Sequence, residues 1–282
     1  MMDHQALQHR IESLSEPVDE MRVIRLGQVH TLVAEFGYSV REIELAALEM
    51  EVVPERYWRN IGTIGLEGQS QLLRSTVAVV GLGGLGGVVT EALARMGVGR
   101  LVLIDGDVFE EHNLNRQLLS TEGDLGAHKA AIAEQRVAAV NGAVEMESHA
   151  VDLTPENLPR LLEGADVVVD ALDSLPTRLM LQDGAQELGI PMVHGSIAGF
   201  LGQVMTIFPD DPGLHALYGV GDQLPEQGLE AQLGTPASTP MAVAAWEVQE
   251  VVKILVGCGV LLRDRLLVMD MESGSIELLQ LG

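Results

Sequence analysis

A β-branched run, a glycine-rich turn and a helical stretch follow one another between residues 76 and 96. Residues 76–80 (TVAVV) are too short for a helix and are bounded by glycine, which predicts a buried strand. Gly81-Leu-Gly83-Gly84-Leu-Gly86 matches the pattern G-x-G-x-x-G in the right context, strand before and helix (85–96) after. Gly81 would permit the tight turn, Gly83 would let a phosphate approach the backbone, and Gly86 would let helix and strand pack closely. The helix N-terminus offers unpaired N–H groups and about half a positive charge to an anion. A second strand, 101–104, finishes at Asp105, 19 residues after Gly86. A carboxylate there can accept hydrogen bonds from ribose hydroxyls. Together these residues predict a nucleotide site and fit a dinucleotide as well as ATP.

Further strand candidates lie at 166–169 (DVVV), which runs into Asp170 and Asp173, and at 191–194, 203–208, 266–269 and 275–279. Strands alternating with helices predict an α/β, Rossmann-like fold, a mainly parallel sheet with helices on both faces. The late strands crowd together, which predicts an antiparallel extension. Residues 242–256 should form an amphipathic helix with Glu247, Glu250 and Lys253 facing out. Residues 209–239 hold Pro209, Pro212, Pro225 and Pro236 without periodicity, and a loop of about thirty residues in a compact domain is usually functional or disordered. Residues 1–55 are expected to be a separate helical extension, a docking or dimerisation arm, and 56–282 one domain. Within the extension, Ser39 and Glu42 form a capping box ahead of Ile43, Ala46, Ala47 and Met50.

The chain carries 17 Lys+Arg against 41 Asp+Glu, a formal net charge of −24, and Lys129 and Lys253 are its only lysines. Nucleic acid and anionic membranes would repel such a protein, so neither is an expected partner. The most apolar stretch, 241–262, is interrupted by Glu247, Glu250 and Lys253 and is not expected to span a membrane. The first residues lack the apolar core of a signal peptide, and a cytoplasmic location is expected. Scarce cations also narrow where phosphate can be handled. Arg116 lies just beyond the second strand, in Asn113-Leu-Asn115-Arg116-Gln117, and Lys129 follows 12 residues after Gln117. Hydride transfer to a nicotinamide needs orientation more than neutralisation of charge. Reaction at a triphosphate develops charge that placed cations stabilise, so Arg116 and Lys129 favour ATP. Asp173 could hold Mg²⁺, a hard cation that prefers oxygen, while Asp170 is expected to be a structural acid. The single cysteine, Cys258, excludes an intramolecular disulfide and any metal site built from cysteine pairs, and is expected to be a packed small hydrophobe.

Several motifs, in order, resemble the MoeB/ThiF/HesA family, bacterial relatives of ubiquitin-activating enzymes. They are Arg56-Tyr57-Trp58-Arg59-Asn60, GLGGLGG at 81–87, LIDGD at 103–107, HNLNRQ at 112–117, GAHK at 126–129 and DALDSLPTR at 170–178. GSIAGFLGQVMTIFPDD at 195–211 and KILVG at 253–257 complete a resemblance that runs from about Arg56 to Gly282. It implies an enzyme that spends ATP to adenylate the C-terminal glycine of a small ubiquitin-like sulfur-carrier protein ending in Gly-Gly (MoaD/ThiS-like), releasing pyrophosphate. The roles it implies are nucleotide lining for Gly81, Gly83 and Gly86, a ribose contact for Asp105, and phosphate contacts for Asn113, Arg116 and Lys129. Asp173 would coordinate Mg²⁺. Arg59 would reach the γ-phosphate of the neighbouring subunit's ATP, which implies a homodimer.

The sequence departs from the family pattern in three places. Many members bind zinc through two cysteine pairs; Leu214 and Leu217 stand about where the first pair would, and no zinc is expected. Some relatives carry a cysteine in the crossover loop that links to the carrier, and 209–239 has none, which implies adenylation alone. Ser174 replaces an asparagine common after the metal aspartate. The rival readings are a tRNA threonylcarbamoyladenosine dehydratase of the same superfamily, an NAD-binding oxidoreductase, and a non-catalytic partner that keeps the nucleotide fold. The net charge disfavours the first, and intact Arg116, Lys129 and Asp173 disfavour the last.

Overall fold

The computed structural model describes residues 4–219 and 233–281. The chain opens with α1 (His4–Leu14), β1 (Glu16–Val18), β2 (Met21–Ile24), α2 (Leu26–Phe36), α3 (Val40–Glu49) and β3 (Val52–Pro54). The extension is therefore not purely helical: β2 pairs antiparallel with β1 and parallel with β3. Strands of three or four residues are too short for alternation to show in a sequence. Ser39 caps α3, its hydroxyl accepting from the Glu42 N–H while the Glu42 carboxylate accepts from the Ser39 N–H. Ile11, Ile24, Leu32, Ile43 and Ala47 form the core of this module.

Beyond a single turn at 55–57 follow α4 (Trp58–Arg74), β4 (Thr76–Val80), α5 (Gly84–Met96), β5 (Arg100–Ile104), α6 (Lys129–Val140) and β6 (Glu145–His149). Then come α7 (Leu158–Leu161), β7 (Val167–Asp170), α8 (Leu175–Glu187), β8 (Met192–Ala198), β9 (Leu201–Ile207), α9 (Leu214–Tyr218), α10 (Ser238–Val256), β10 (Arg265–Asp270) and β11 (Ser275–Gln280). One eight-stranded sheet runs in the order β11-β10-β9-β8-β7-β4-β5-β6. The strands from β4 to β8 are parallel, and β9, β10 and β11 extend the sheet antiparallel. Helices α5, α6 and α10 cover one face around Val79, Val89, Leu101, Val137 and Val251. Helices α7 and α8 cover the other around Val102, Leu161, Val168 and Leu181. From β4 the chain winds to β5 on one side and later to β7 on the other, so a crevice opens at their carboxyl ends.

Helix α10 corrects one expectation. Glu247 and Glu250 are fully buried, not facing solvent. The helix packs against α5, β8, β9 and α4, and its exposed face is a stripe through Met241, Ala245, Trp246 and Gln249 that excludes both glutamates. Glu250 accepts from the Thr206 hydroxyl at 2.6 Å and the Leu262 N–H at 2.8 Å, and Lys253 folds back onto it. Burial, helped by nearby Asp170, raises the Glu247 carboxyl well above the usual range.

Helix α3 ties the extension to the large domain. Leu48 shares a small core with Tyr57, Leu73 and Ala143, while Arg41 pairs with Glu145 and Glu49 with Arg74. Glu44 of the same helix is buried beside Arg56 and Tyr57, and burial outweighs both to push its carboxyl up to about 7. A carboxyl raised in the folded state adds stability below its usual value of 4.5, and loses it as pH climbs through about 7. The loss is about 3 kcal/mol. Glu44→Gln has no such proton to lose, so its Tm should fall less than the parent's between about pH 5 and pH 8 in thermal unfolding.

Candidate nucleotide site

The turn after β4 is made possible by two glycines that nothing else could replace. Gly81 has φ +89°, and a Cβ there would lie 2.5 Å from the Ala171 carbonyl oxygen. A Cβ on Gly86 would lie 1.8 Å from the Gly81 carbonyl oxygen. Gly83 differs: a Cβ there would meet only the Gln117 side chain, at 3.5 Å. Its bare backbone faces a cavity of about 400 Å³ at the carboxyl ends of β4, β5 and β7. Gly83 also caps α5 without a side-chain hydrogen bond, which leaves the first-turn N–H groups of α5 open to an anion.

Gly81, Gly83, Asp105, Arg116, Lys129 and Asp173 all line this cavity. Asp105 accepts from the Leu82 N–H at 2.7 Å and the Asp107 N–H at 2.8 Å. Burial raises its carboxyl above the usual range, opposed by Lys129 and those two N–H groups. Lys129 opens α6; its side chain is 7% exposed, and Nζ lies 2.7 Å from Asp107 and 3.9 Å from Asp105. Arg116 is steadied at its loop by the His112 carbonyl and the Asn115 side chain, at 2.9 and 2.8 Å.

Three of the residues singled out lie elsewhere. Gly86 sits behind the wall as a packing position. Asn113, placed at the phosphates by the resemblance, is buried outside the wall. Its Oδ1 accepts from the Glu110 N–H at 3.0 Å and closes the turn that presents Arg116. Arg59 is exposed on the first turn of α4, away from the cavity of its own chain.

Asp107, Gln117 and Asp152 also stand in the wall and are not among the residues singled out from the sequence. Asp107 and Gln117 stand inside quoted motifs, where their position was the available signal. Gln117 is buried with Oε1 unpartnered among the described residues. Behind the wall, Asp170 is fully buried and accepts from His194 Nδ1 at 2.6 Å and the Leu172 N–H at 3.1 Å. Burial alone would raise Asp170, but Arg178 and His194 hold it below the usual carboxylate range. Burial pushes His194 down, so the imidazole is neutral. Arg178 donates to the Leu172 and Gly195 carbonyls. Both backbone groups of Leu172 are thus gripped, and the turn carrying Asp173 is fixed.

A divalent cation fits this arrangement. Asp173 is exposed at the cavity with no hydrogen bond or ion pair among the described residues. No group of three or more His, Cys, Asp or Glu there could hold a metal ion unaided. A cation at Asp173 would draw its remaining ligands from phosphates and water, as Mg²⁺ commonly does.

One further position corrects an expectation. Cys258 is exposed just past the end of α10, not packed. A maleimide should label it readily, and neither labelling nor Cys258→Ser should change the rate of product formation. Leu214 and Leu217 pack into the core beneath α8. No helix among the described residues is long and apolar enough to cross a membrane.

Residues 57–282 match the ThiF family. The chain is 40% identical over 221 residues to the SAMP-activating enzyme E1 of Haloferax volcanii, covering 77% of this chain and 81% of that protein. It is 38% identical over 226 residues to the sulfur carrier protein adenylyltransferase of Thermus thermophilus, covering 77% and 83%. In structure it is similar to E. coli MccB solved with ATP, with a TM-score of 0.68, 19% identity and coverage of 90% of this chain and 82% of that one. At that identity the likeness is one of fold. With four-fifths of its length matched and its sheet, glycine turn and cation-lined cavity in place, the chain belongs to the MoeB/ThiF family.

Proposed function

We propose that this protein uses ATP to adenylate the C-terminal glycine of a small ubiquitin-like sulfur-carrier protein ending in Gly-Gly, releasing pyrophosphate. The observation that carries this reading is the convergence of Lys129 and Arg116 with the open N-terminus of α5 on one cavity, in a chain of net charge −24. The names of the two relatives supply the substrate class.

A carboxylate oxygen of the terminal glycine attacks the α-phosphorus. The bond from that phosphorus to the bridging oxygen breaks, and its electron pair leaves with pyrophosphate. Asp105 accepts from the ribose hydroxyls, and the backbone at Gly83 lets the phosphates approach. Lys129 and Arg116 stabilise the charge that grows on the phosphate oxygens. Lys129 is first held by Asp107, whose side chain is 72% exposed, so an arriving phosphate can displace that carboxylate into water. Mg²⁺ at Asp173 supplies further neutralisation of the polyphosphate when bound. Asn113 acts through the turn it closes. Arg59, exposed and outside its own cavity, serves the neighbouring subunit's γ-phosphate, and the working unit is a homodimer.

Residues 56–282 form the adenylation domain and 1–55 an extension. The crossover 209–239 covers the carrier's tail; Thr235 lines the cavity, while residues 220–232 lie outside the described residues. The setting is the cytoplasm, with no nucleic acid partner and no zinc. The test is exchange of labelled pyrophosphate into ATP, with Mg²⁺ and candidate proteins ending in Gly-Gly. Exchange should appear only with a carrier whose Gly-Gly is intact. NAD binding without exchange, or exchange indifferent to the tail, would overturn the reading.

A further inference from the structure

The extension, residues 1–55, has no part in the site described so far, yet it sends a buried acid into the large domain. Glu44 of α3 lies 3.2 Å from Arg56 Nε as an ion pair, its side chain 1% exposed, and its carboxylate oxygens have no hydrogen-bond partner among the described residues. Arg56 donates to the Asn141 side-chain oxygen, and Asn141 Nδ2 donates to the Tyr57 hydroxyl at 2.9 Å and to the Ala94 carbonyl at 2.8 Å. Asn141 is the C-cap of α6, the helix that Lys129 opens. Ala94 lies in the last turns of α5, whose first turn faces the cavity. The network therefore joins α3 to the far ends of both helices that line the phosphate region.

The residues it grips are the neighbours of Arg59. The ring of Tyr57 is fully buried against Gly97, where an added Cβ would come within 2.6 Å of it. Asn60 donates to Gln69 at 2.9 Å, and Gln69 donates to the Met96 carbonyl at 2.9 Å. Arg59 alone in this turn projects into solvent. It has no ion pair among the described residues, in a chain where most arginines have one.

We infer that residues 1–55 act as a brace on the Tyr57–Arg59 turn, with Glu44 as the positioning residue that fixes where Arg59 is presented to the neighbouring subunit's triphosphate. This rests on the reading that Arg59 serves that subunit's site. Glu44 and Arg56 close one side of the turn, Asn141 the other, and the same asparagine references it to α5 and α6. Without Glu44 the turn keeps its aromatic packing and loses the charged contact that sets its register against α3. A guanidinium misplaced by about an ångström loses most of its benefit.

Mixed dimers separate positioning from general structure. One subunit carries Lys129→Ala and keeps Arg59; the other carries Arg59→Ala and keeps its cavity, so each dimer has one complete site. The readout is affinity for Mg-ATP and Mg-ADP by titration calorimetry, which needs no carrier. Arg59→Ala homodimers should lose about tenfold to a hundredfold in ATP affinity and little in ADP affinity. The mixed dimer should regain the preference for ATP.

Glu44→Gln, nearly isosteric, is then added to one subunit at a time. Placed in the subunit that donates Arg59, it should cut ATP affinity by about tenfold and spare ADP. Placed in the subunit that holds the site, it should change neither. Should that variant fail to fold, Arg56→Lys in the same two placements makes the same test. Equal losses in both placements, or none in either, overturn the brace while leaving the shared site standing. A mixed dimer that never regains ATP preference overturns the shared site itself, and the brace with it.

Discussion

Lys129→Ala should lower carrier-dependent pyrophosphate exchange by about a hundredfold to a thousandfold while the protein stays folded. The loss has two parts. One is the missing donor, since a preorganised cation in a dry site is worth about 3 kcal/mol of barrier. The other is what the substitution uncovers. Asp105 is nearly buried, and Lys129 is the charge that most offsets its burial. Without Nζ, Asp105 and Asp107 present their charge to an arriving triphosphate with nothing between. Binding of Mg-ATP should therefore weaken along with the chemistry. Lys129→Arg keeps the charge without the geometry and should recover part of both. Asp173→Asn makes a useful contrast: it should cost exchange a comparable factor, with the apparent requirement for Mg²⁺ shifted upward. Exchange within tenfold of the parent in Lys129→Ala would remove this residue from the reaction and with it the reason for preferring a triphosphate.

The parts legible in the sequence share a physical property: local patterns decide them. The strand at Thr76–Val80 and the helix that follows come from a branched run and a glycine turn, and the structure places both within a residue of the expected bounds. The capping box at Ser39 is equally local. Apart from the strands β1, β2 and β3, too short to leave a local pattern, the failures are tertiary. Strand β6, EMESH, has no apolar run to reveal it, because it is an edge strand paired on one side only. Glu247 and Glu250 looked solvent-facing because charge usually is; their burial depends on Thr206, Leu262 and Gly195, which are distant in the sequence. Cys258 looked packed because small apolar thiols often are, but the chain leaves α10 toward water there. Glu44 carries no motif at all. Its significance appears only when α3 is laid against Arg56 and Tyr57.

The glycine turn offers a sharper test of the cavity than any charged residue, because its glycines should fail in different ways. Gly86→Ala forces a Cβ to within 1.8 Å of the Gly81 carbonyl oxygen, which is backbone and has no rotamer to give. The turn must open, and the variant should lose about 3 kcal/mol or more and unfold at a clearly lower denaturant midpoint. Gly83→Ala meets only the end of the Gln117 side chain at ordinary contact distance, and its backbone is not left-handed. Its stability should stay within about 1 kcal/mol of the parent. Its new methyl group, however, stands where a phosphate would approach the start of α5, and ATP affinity should fall by about tenfold or more. Gly27→Ala in α2, with open space around it, is the control and should gain about 0.5–1 kcal/mol with nucleotide binding untouched. A Gly83→Ala protein that binds ATP as tightly as the parent would mean that the phosphates do not pass over this turn. The free N–H groups of α5 would then have to serve some other anion, and Lys129 and Arg116 would have lost the ligand that explains why they meet.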